Sequence, residues 1–206
     1  MTTGKTKRIL SVVFLASFCI CAYSQNAEYV INRILKQMES GIECSMSLHT
    51  DDGNAEFHVL MKGERFSVST PDNSSWYDGT TLWEAVKSGD TIDEVYISKP
   101  SPEEMEQSGT NPFLLIKNRE GFSERMTDSR HLELKASDPN SGWHGISCVT
   151  VQLDGNGTPV GITASLINGI VLDVKVDSYK TNREVSESDF KFPYSKWPGA
   201  EIINLE

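Results

Sequence analysis

From Cys44 onward the apolar residues fall at every second position, in short runs broken by turn-forming clusters, and this period of two restricts the chain to a strand-rich fold. Cys44, Met46 and Leu48 alternate with Glu43, Ser45, Ser47 and His49. After Asp51-Asp52-Gly53-Asn54, Phe57, Val59 and Met61 alternate with Glu56 and His58, which predicts a hairpin. Lys62-Gly63-Glu64 turns the chain into Phe66 and Val68, and Pro71 ends that run. Trp76 and Tyr77 lead into the tight-turn dipeptide Asp78-Gly79, and Thr81 to Val86 returns as the next strand, followed by Val95 to Ile97.

The later half repeats the pattern. Strands are expected at His131 to Ala136, at Ile146 to Leu153 and at Val160 to Leu166. After the Asn168-Gly169 turn, Ile170, Leu172, Val174 and Val176 face one way and Asp173, Lys175 and Asp177 the other. Ten strand-like runs joined mostly by hairpin turns pair antiparallel, and a consistently apolar face on so long a meander fits a curved sheet wrapped around something apolar.

Two segments depart from this rhythm. Val30, Ile31, Ile34, Leu35 and Met38 recur at helical spacing between Asn26 and Glu39, predicting one amphipathic helix that stops before Gly41. Ser101-Pro102-Glu103-Glu104 has a serine cap, a proline in the first turn and a glutamate three residues on, the features of a helix start. That helix and the apolar cluster Asn111 to Ile116 are expected to cross over the sheet.

Ahead of the first helix, Met1 to Ser24 read as a secretory signal: Lys5, Lys7 and Arg8, an apolar run from Ile9 to Cys21, then Ala22-Tyr23-Ser24 with small residues where a signal peptidase cuts. The run is shorter than the roughly 20 residues a spanning helix needs. Phe18 before Cys19 and Ile20 before Cys21 fit no lipidation site. The expected mature chain, residues 25–206, is a single soluble domain and a monomer. Processing takes three of the 19 basic residues and none of the 29 acidic ones, leaving a formal charge of −13. Such a balance disfavours nucleic acid and anionic lipid surfaces as partners.

Cys44 and Cys148 survive processing, and an oxidising compartment permits a bridge between them. Strand parity argues against it, because Cys44 shares a face with Met46 and Leu48 while Cys148 is out of step with Val149, Val151 and Leu153.

No enzyme signature stands out. Asn140-Ser141-Gly142-Trp143 lies in a Pro/Gly turn rather than a nucleophile elbow. His49, His58, His131 and His144 lack metal-ligand spacing, so neither a metal nor a cofactor is expected. Carboxylates such as Asp51 with Asp52 and Glu103 with Glu104 sit in turns or at a helix start. A hydrolase using two distant carboxylates is a third and weaker possibility.

Several motifs then carry a resemblance: Gly63-Glu64-Arg65-Phe66-Ser67-Val68 followed by a proline; Trp76-Tyr77-Asp78-Gly79-Thr80-Thr81-Leu82-Trp83; Asn111-Pro112-Phe113-Leu114-Leu115; and the ending Phe190-x-Phe192 with Pro198-Gly199-Ala200-Glu201-Ile202-Ile203. In order and spacing, across nearly the whole mature chain, they resemble the periplasmic outer-membrane lipoprotein carrier family, the LolA-like proteins.

The resemblance implies an α+β fold, an unclosed antiparallel β-barrel with a helical lid over an apolar cavity. It implies a periplasmic, non-enzymatic carrier of acylated lipoproteins or lipids, receiving cargo from an inner-membrane release complex and passing it to an outer-membrane acceptor. Candidate acyl-binding residues are Met46, Leu48, Phe57, Val59, Phe66, Val68 and Leu82, with Phe113, Leu114 and Ile116 as lid. In the family an arginine directly before a proline helps to hold the lid shut; no Arg-Pro pair occurs here, and Arg65 is not given that role. The alternative is an envelope-stress sensor on the same scaffold that binds lipoproteins and a regulatory protein.

Overall fold

A computed structural model describes residues 27–50, 53–108, 111–138 and 145–205. The signal segment, the Asn140-Ser141-Gly142-Trp143 turn and His144 lie outside the described residues.

The chain forms a helix α1 over residues 27–40 and then a hairpin, β1 (Ile42–Thr50) and β2 (Gly53–Lys62). β3 (Arg65–Ser69), β4 (Asn73–Tyr77), β5 (Leu82–Ser88) and β6 (Thr91–Ser98) continue the meander. Two short helices follow, α2 (Pro102–Ser108) and α3 (Pro112–Lys117). The second half comprises β7 (Phe122–Met126), β8 (His131–Ala136), β9 (Ile146–Leu153), β10 (Pro159–Leu166) and β11 (Val171–Thr181), then a 3-10 turn (Glu187–Phe190) and β12 (Glu201–Asn204).

Among the described residues twelve strands form one sheet, in the order β12-β6-β5-β4-β3-β2-β1-β11-β10-β9-β8-β7. Every pairing but one is antiparallel, as hairpin order requires. β1 and β11 join the two meanders at the centre, and β12 and β7 remain as unpaired edges, so the curved sheet does not close. Among the described residues no helix is long and apolar enough to cross a membrane.

α1 lies on one face of this sheet because its apolar stripe has nowhere else to go: Ala27, Val30, Ile31, Ile34 and Met38 are buried there, while Tyr29 on the other side is exposed. Its neighbours in one continuous core come from both halves of the sheet, including Val59, Met61 and Phe66 on one side and Leu132, Leu134, Val149 and Val151 on the other. The expected helix start at Ser101 is present as a capping box. Glu104 N donates to Ser101 Oγ (3.2 Å) and Ser101 N to Glu104 Oε2 (2.7 Å); the bond from the Ser101 amide, with the Ser101 hydroxyl adding to it, holds the Glu104 carboxyl below its usual range.

Three features were not anticipated. Phe122–Met126 is an edge strand where no strand was expected. β12 pairs parallel to β6, Ile202 opposite Val95 and Ile203 opposite Tyr96, a long-range contact with no hairpin signal. A second core occupies the opposite face of β4 to β6, where Trp83, Ala85, Ile92 and Val95 are covered by Phe192, with Trp76 and Trp197 packed around them. Leu82 and Trp83 therefore point oppositely and are both buried, one beneath the helices and the other beneath the C-terminal segment.

Cys44 and Cys148 are free thiols. β11 and β10 separate their strands, so three interstrand spacings of about 4.8 Å intervene, beyond the reach of a disulfide. The histidines of the first hairpin do not face each other: His49 is opposite Asn54, and His58 is opposite Ser45.

Candidate functional site

Between α1 and the centre of the sheet the side chains leave an apolar cavity of about 150 Å³. Ile34 and Met38 of α1 form its roof with Ile116 of α3. Ile42, Cys44 and Met46 of β1 and Val59 and Met61 of β2 form one wall. Val151, Pro159 and Ile162 of β9 and β10 form the other, and Val176 and Tyr179 of β11 complete the floor.

Tyr179 is there because of a register shift. Strict alternation along β11 would put it on the outer face with Lys175 and Asp177. The β1–β11 ladder slips between Ser45 and Met46, so that Met46 pairs with Val176 while Cys44 pairs with Tyr179. The extra residue is a β-bulge, and it turns the Tyr179 ring inward. Its hydroxyl finds a partner in Gln37 Oε1 of α1 at 3.2 Å, as a phenol entering an apolar site requires. Burial, with Cys44 beside it, pushes the Tyr179 phenol up to about 12. Burial, with Glu43 adding to it, pushes the Cys44 thiol up to about 11. At neutral pH both remain protonated, so the cavity carries no charge and Cys44 is not a thiolate nucleophile.

Of the residues singled out from the sequence, Met46, Val59 and Ile116 line this cavity. Phe66, Leu82, Phe113 and Leu114 are buried in the solid core around it. Leu48, Phe57 and Val68 are half-buried, and register places them with the same face: Leu48 opposite Val174, Phe57 opposite Met46 and Val68 opposite Val59. Val151, Ile162 and Val176 carry the alternation that identifies inward positions. Tyr179 does not, since bulges have no signature in period-two patterning.

The helices over the cavity are held by few polar ties. Arg33 of α1 reaches the β9–β10 turn, donating to the carbonyls of Asn156 (3.2 Å) and Gly157. Gly63 N donates to Met38 O at 2.9 Å, linking the end of α1 to the β2–β3 turn. α3 is fastened to the same turn through Asn111, and Lys117 Nζ pairs with Glu64 Oε1 at 2.8 Å.

A second depression has a different character. About 290 Å³ in volume, it lies on the sheet and is lined by His131, Thr150, Gln152, Thr163, Asp173 and Lys175 among others. Its charged members are engaged: His131 with Asp128, Lys175 with Asp177, and Asp173 accepting from Thr163. Among the described residues no three His, Cys, Asp or Glu side chains stand together as a metal site.

No family model matches the chain, and no curated protein matches it. Solved structures do match. An uncharacterized conserved protein from Thermus thermophilus aligns over 87% of this chain and 99% of its own, with a TM-score of 0.54 at 13% identity, a likeness of fold alone. MucB aligns over 82% of this chain and 63% of its own, with a TM-score of 0.40 at 12% identity. PNGF-II covers 81% of this chain and 31% of its own, at 0.38 and 9%. At the last two scores neither likeness bears on function. The curved, unclosed antiparallel sheet with helices over one face is the α+β architecture expected from the sequence.

Proposed function

We propose that this protein is a carrier that shields the acyl chains of lipoproteins or lipids beneath α1 and α3 while they cross an aqueous compartment between two membranes. The observation that supports this reading most directly is the cavity: it is uncharged, walled by apolar side chains with the Tyr179 ring among them, and roofed by helices rather than by the sheet itself. Burial at a carrier site must return about 0.8 kcal/mol for every CH₂ removed from water, and only an apolar lining does so without a desolvation cost.

Its size sets the mechanism. About 150 Å³ is the volume of an engineered cavity that takes up benzene. An acyl chain needs several times that space, so cargo enters only as the helices move off the sheet. The few polar ties of α1 and α3 fit a roof whose closed and open arrangements differ by a small free energy, which loading and release both require. On this reading the signal-like segment Met1 to Ser24 supports a periplasmic carrier.

The test is extraction. Protein purified from cell envelopes should carry acylated material detectable by native mass spectrometry, and should release a triacylated lipoprotein from membrane vesicles into solution. Protein consistently free of acyl ligand and unable to release lipoprotein contradicts the proposal.

A further inference from the structure

The β10–β11 hairpin ends in a tip whose chemistry the fold does not need. Turn formation is complete with Asn168-Gly169: Gly169 takes φ +86°, Gly169 N donates to Leu166 O at 3.0 Å, and Asn168 Oδ1 accepts from Ile170 N at 3.1 Å. Leu166 N closes the loop on Ile170 O at 2.8 Å, and Ile167 N anchors it to Gly145 O at 2.7 Å. The tip is thus a well-tied turn. Polar residues are the ordinary choice around such a turn, yet Ile167, Ile170 and Val171 stand there 54%, 50% and 56% exposed. No charged residue occurs between Asp154 and Asp173 in a chain that is 23% charged overall.

The tip is apolar on both sides of its ribbon. Leu172 pairs with Ala164 and shares the inner face with Val174 and Val176, whereas Val171 pairs with Ser165 on the outer face. On the inner face the apolar surface runs without a charge from the half-buried Leu172 through Val174 and Leu48 to Val176 and Met46, which is the cavity wall.

From this we infer that the β10–β11 tip inserts into the surface of a lipid bilayer and delivers the mouth of the cavity to it. A bilayer, rather than a protein partner, fits because a turn whose exposed side chains are apolar on both sides of its ribbon is covered fully only by a continuous medium. A protein docking site would cover one side, and its core would be enriched in aromatic residues or arginine, which the tip lacks. The lack of charge on the tip of so acidic a chain selects a neutral, zwitterionic surface and insertion driven by apolar burial. The inference extends the carrier reading by giving the cavity an entrance.

The experiment is flotation of the purified protein with phosphatidylcholine vesicles containing no lipoprotein. The wild-type protein floats with the vesicles to the same extent at low and high salt, and the Ile167→Ser/Ile170→Ser variant floats roughly fivefold less or worse while keeping its thermal midpoint. Ile170→Ala gives an intermediate loss and serves if the double variant is unstable. Absent flotation of the wild type, equal flotation of a folded variant, or a concentration-dependent dimer lost in the variant without vesicle binding would each overturn the inference. Because the vesicles carry no cargo, that failure leaves acyl extraction standing. Vesicle binding without acyl cargo would instead sink the carrier reading alone.

Discussion

Asn111 is wholly buried and spans the gap between lid and sheet: its Nδ2 donates to the Glu64 carbonyl at 2.8 Å, while its Oδ1 accepts the Phe113 amide at 3.1 Å. One side chain therefore caps α3 and latches it to the β2–β3 turn. Asn111→Ala removes a cap worth about 0.5–2 kcal/mol and strands a carbonyl at about 1–3 kcal/mol. Denaturant unfolding should show a loss of about 2–3 kcal/mol. Lys117→Met, which removes the exposed pair with Glu64 and the ammonium 5.6 Å from the Phe113 ring centroid, should cost about 1 kcal/mol, less than Asn111→Ala. Equal losses would mean that Asn111 is not the latch.

Arg33 ties α1 to the turn at Asn156 and Gly157. Arg33→Met should therefore release the helix locally. Hydrogen exchange is expected to speed up across residues 27–40 while β9 and β10 keep their protection, and a fluorescent acyl probe should load faster. Uniform loss of protection over the whole sheet would show that the contact holds the fold and not the roof.

Cys44 gives a pH dependence with a definite sign. Its thiol is raised from about 9 to about 11 in the folded protein, so the unfolded chain ionises first as pH rises. Stability contributed by this group is complete below pH 9 and is lost as pH climbs from about 9 to 11, by on the order of 2–3 kcal/mol. Tyr179, raised to about 12, acts in the same direction at higher pH. Urea midpoints followed against pH for wild type and Cys44→Ala should show a shallower alkaline decline in the variant. Parallel curves would contradict the assignment.

Phe192 tests the second core. It stacks on Trp197 (5.9 Å between centroids, 19°) and meets Trp76 edge-on (5.5 Å, 74°), sealing the face that Trp83 enters. Phe192→Ala should destabilise by about 3–5 kcal/mol. Probe binding per folded molecule should stay unchanged, because Phe192 lines no part of the cavity. A parallel loss of binding in folded protein would join the two cores functionally.

What the sequence disclosed follows from what each element depends on. α1, the hairpins turning at Asp78-Gly79 and Asn168-Gly169, and the inward set Val149, Val151 and Leu153 rest on local periodicity and turn chemistry, and all were readable. β12 depends on a parallel partner more than a hundred residues earlier in the chain, so no local pattern marks it. Phe122–Met126 is an edge strand whose Glu124 and Arg125 break any apolar run. β4 to β6 are buried on both faces, and alternation then fails as a guide: Leu82 and Trp83 point oppositely and both are buried. The cavity was legible as an apolar face but not as a space. Phe66 and Leu82 fill their surroundings while Met46 and Val59 border a void, a difference set by packing and, at Tyr179, by a bulge.

The central claim is that acyl chains lie between α1 and the sheet, and photo-crosslinking measures that position directly. A palmitoylated peptide bearing a diazirine near the end of its acyl chain, irradiated with the protein and mapped by mass spectrometry, should label Ile34, Met38, Met46, Val176 or Tyr179 and spare the outer face. Labelling confined to the outer face, or none above that of a soluble diazirine, would contradict the account.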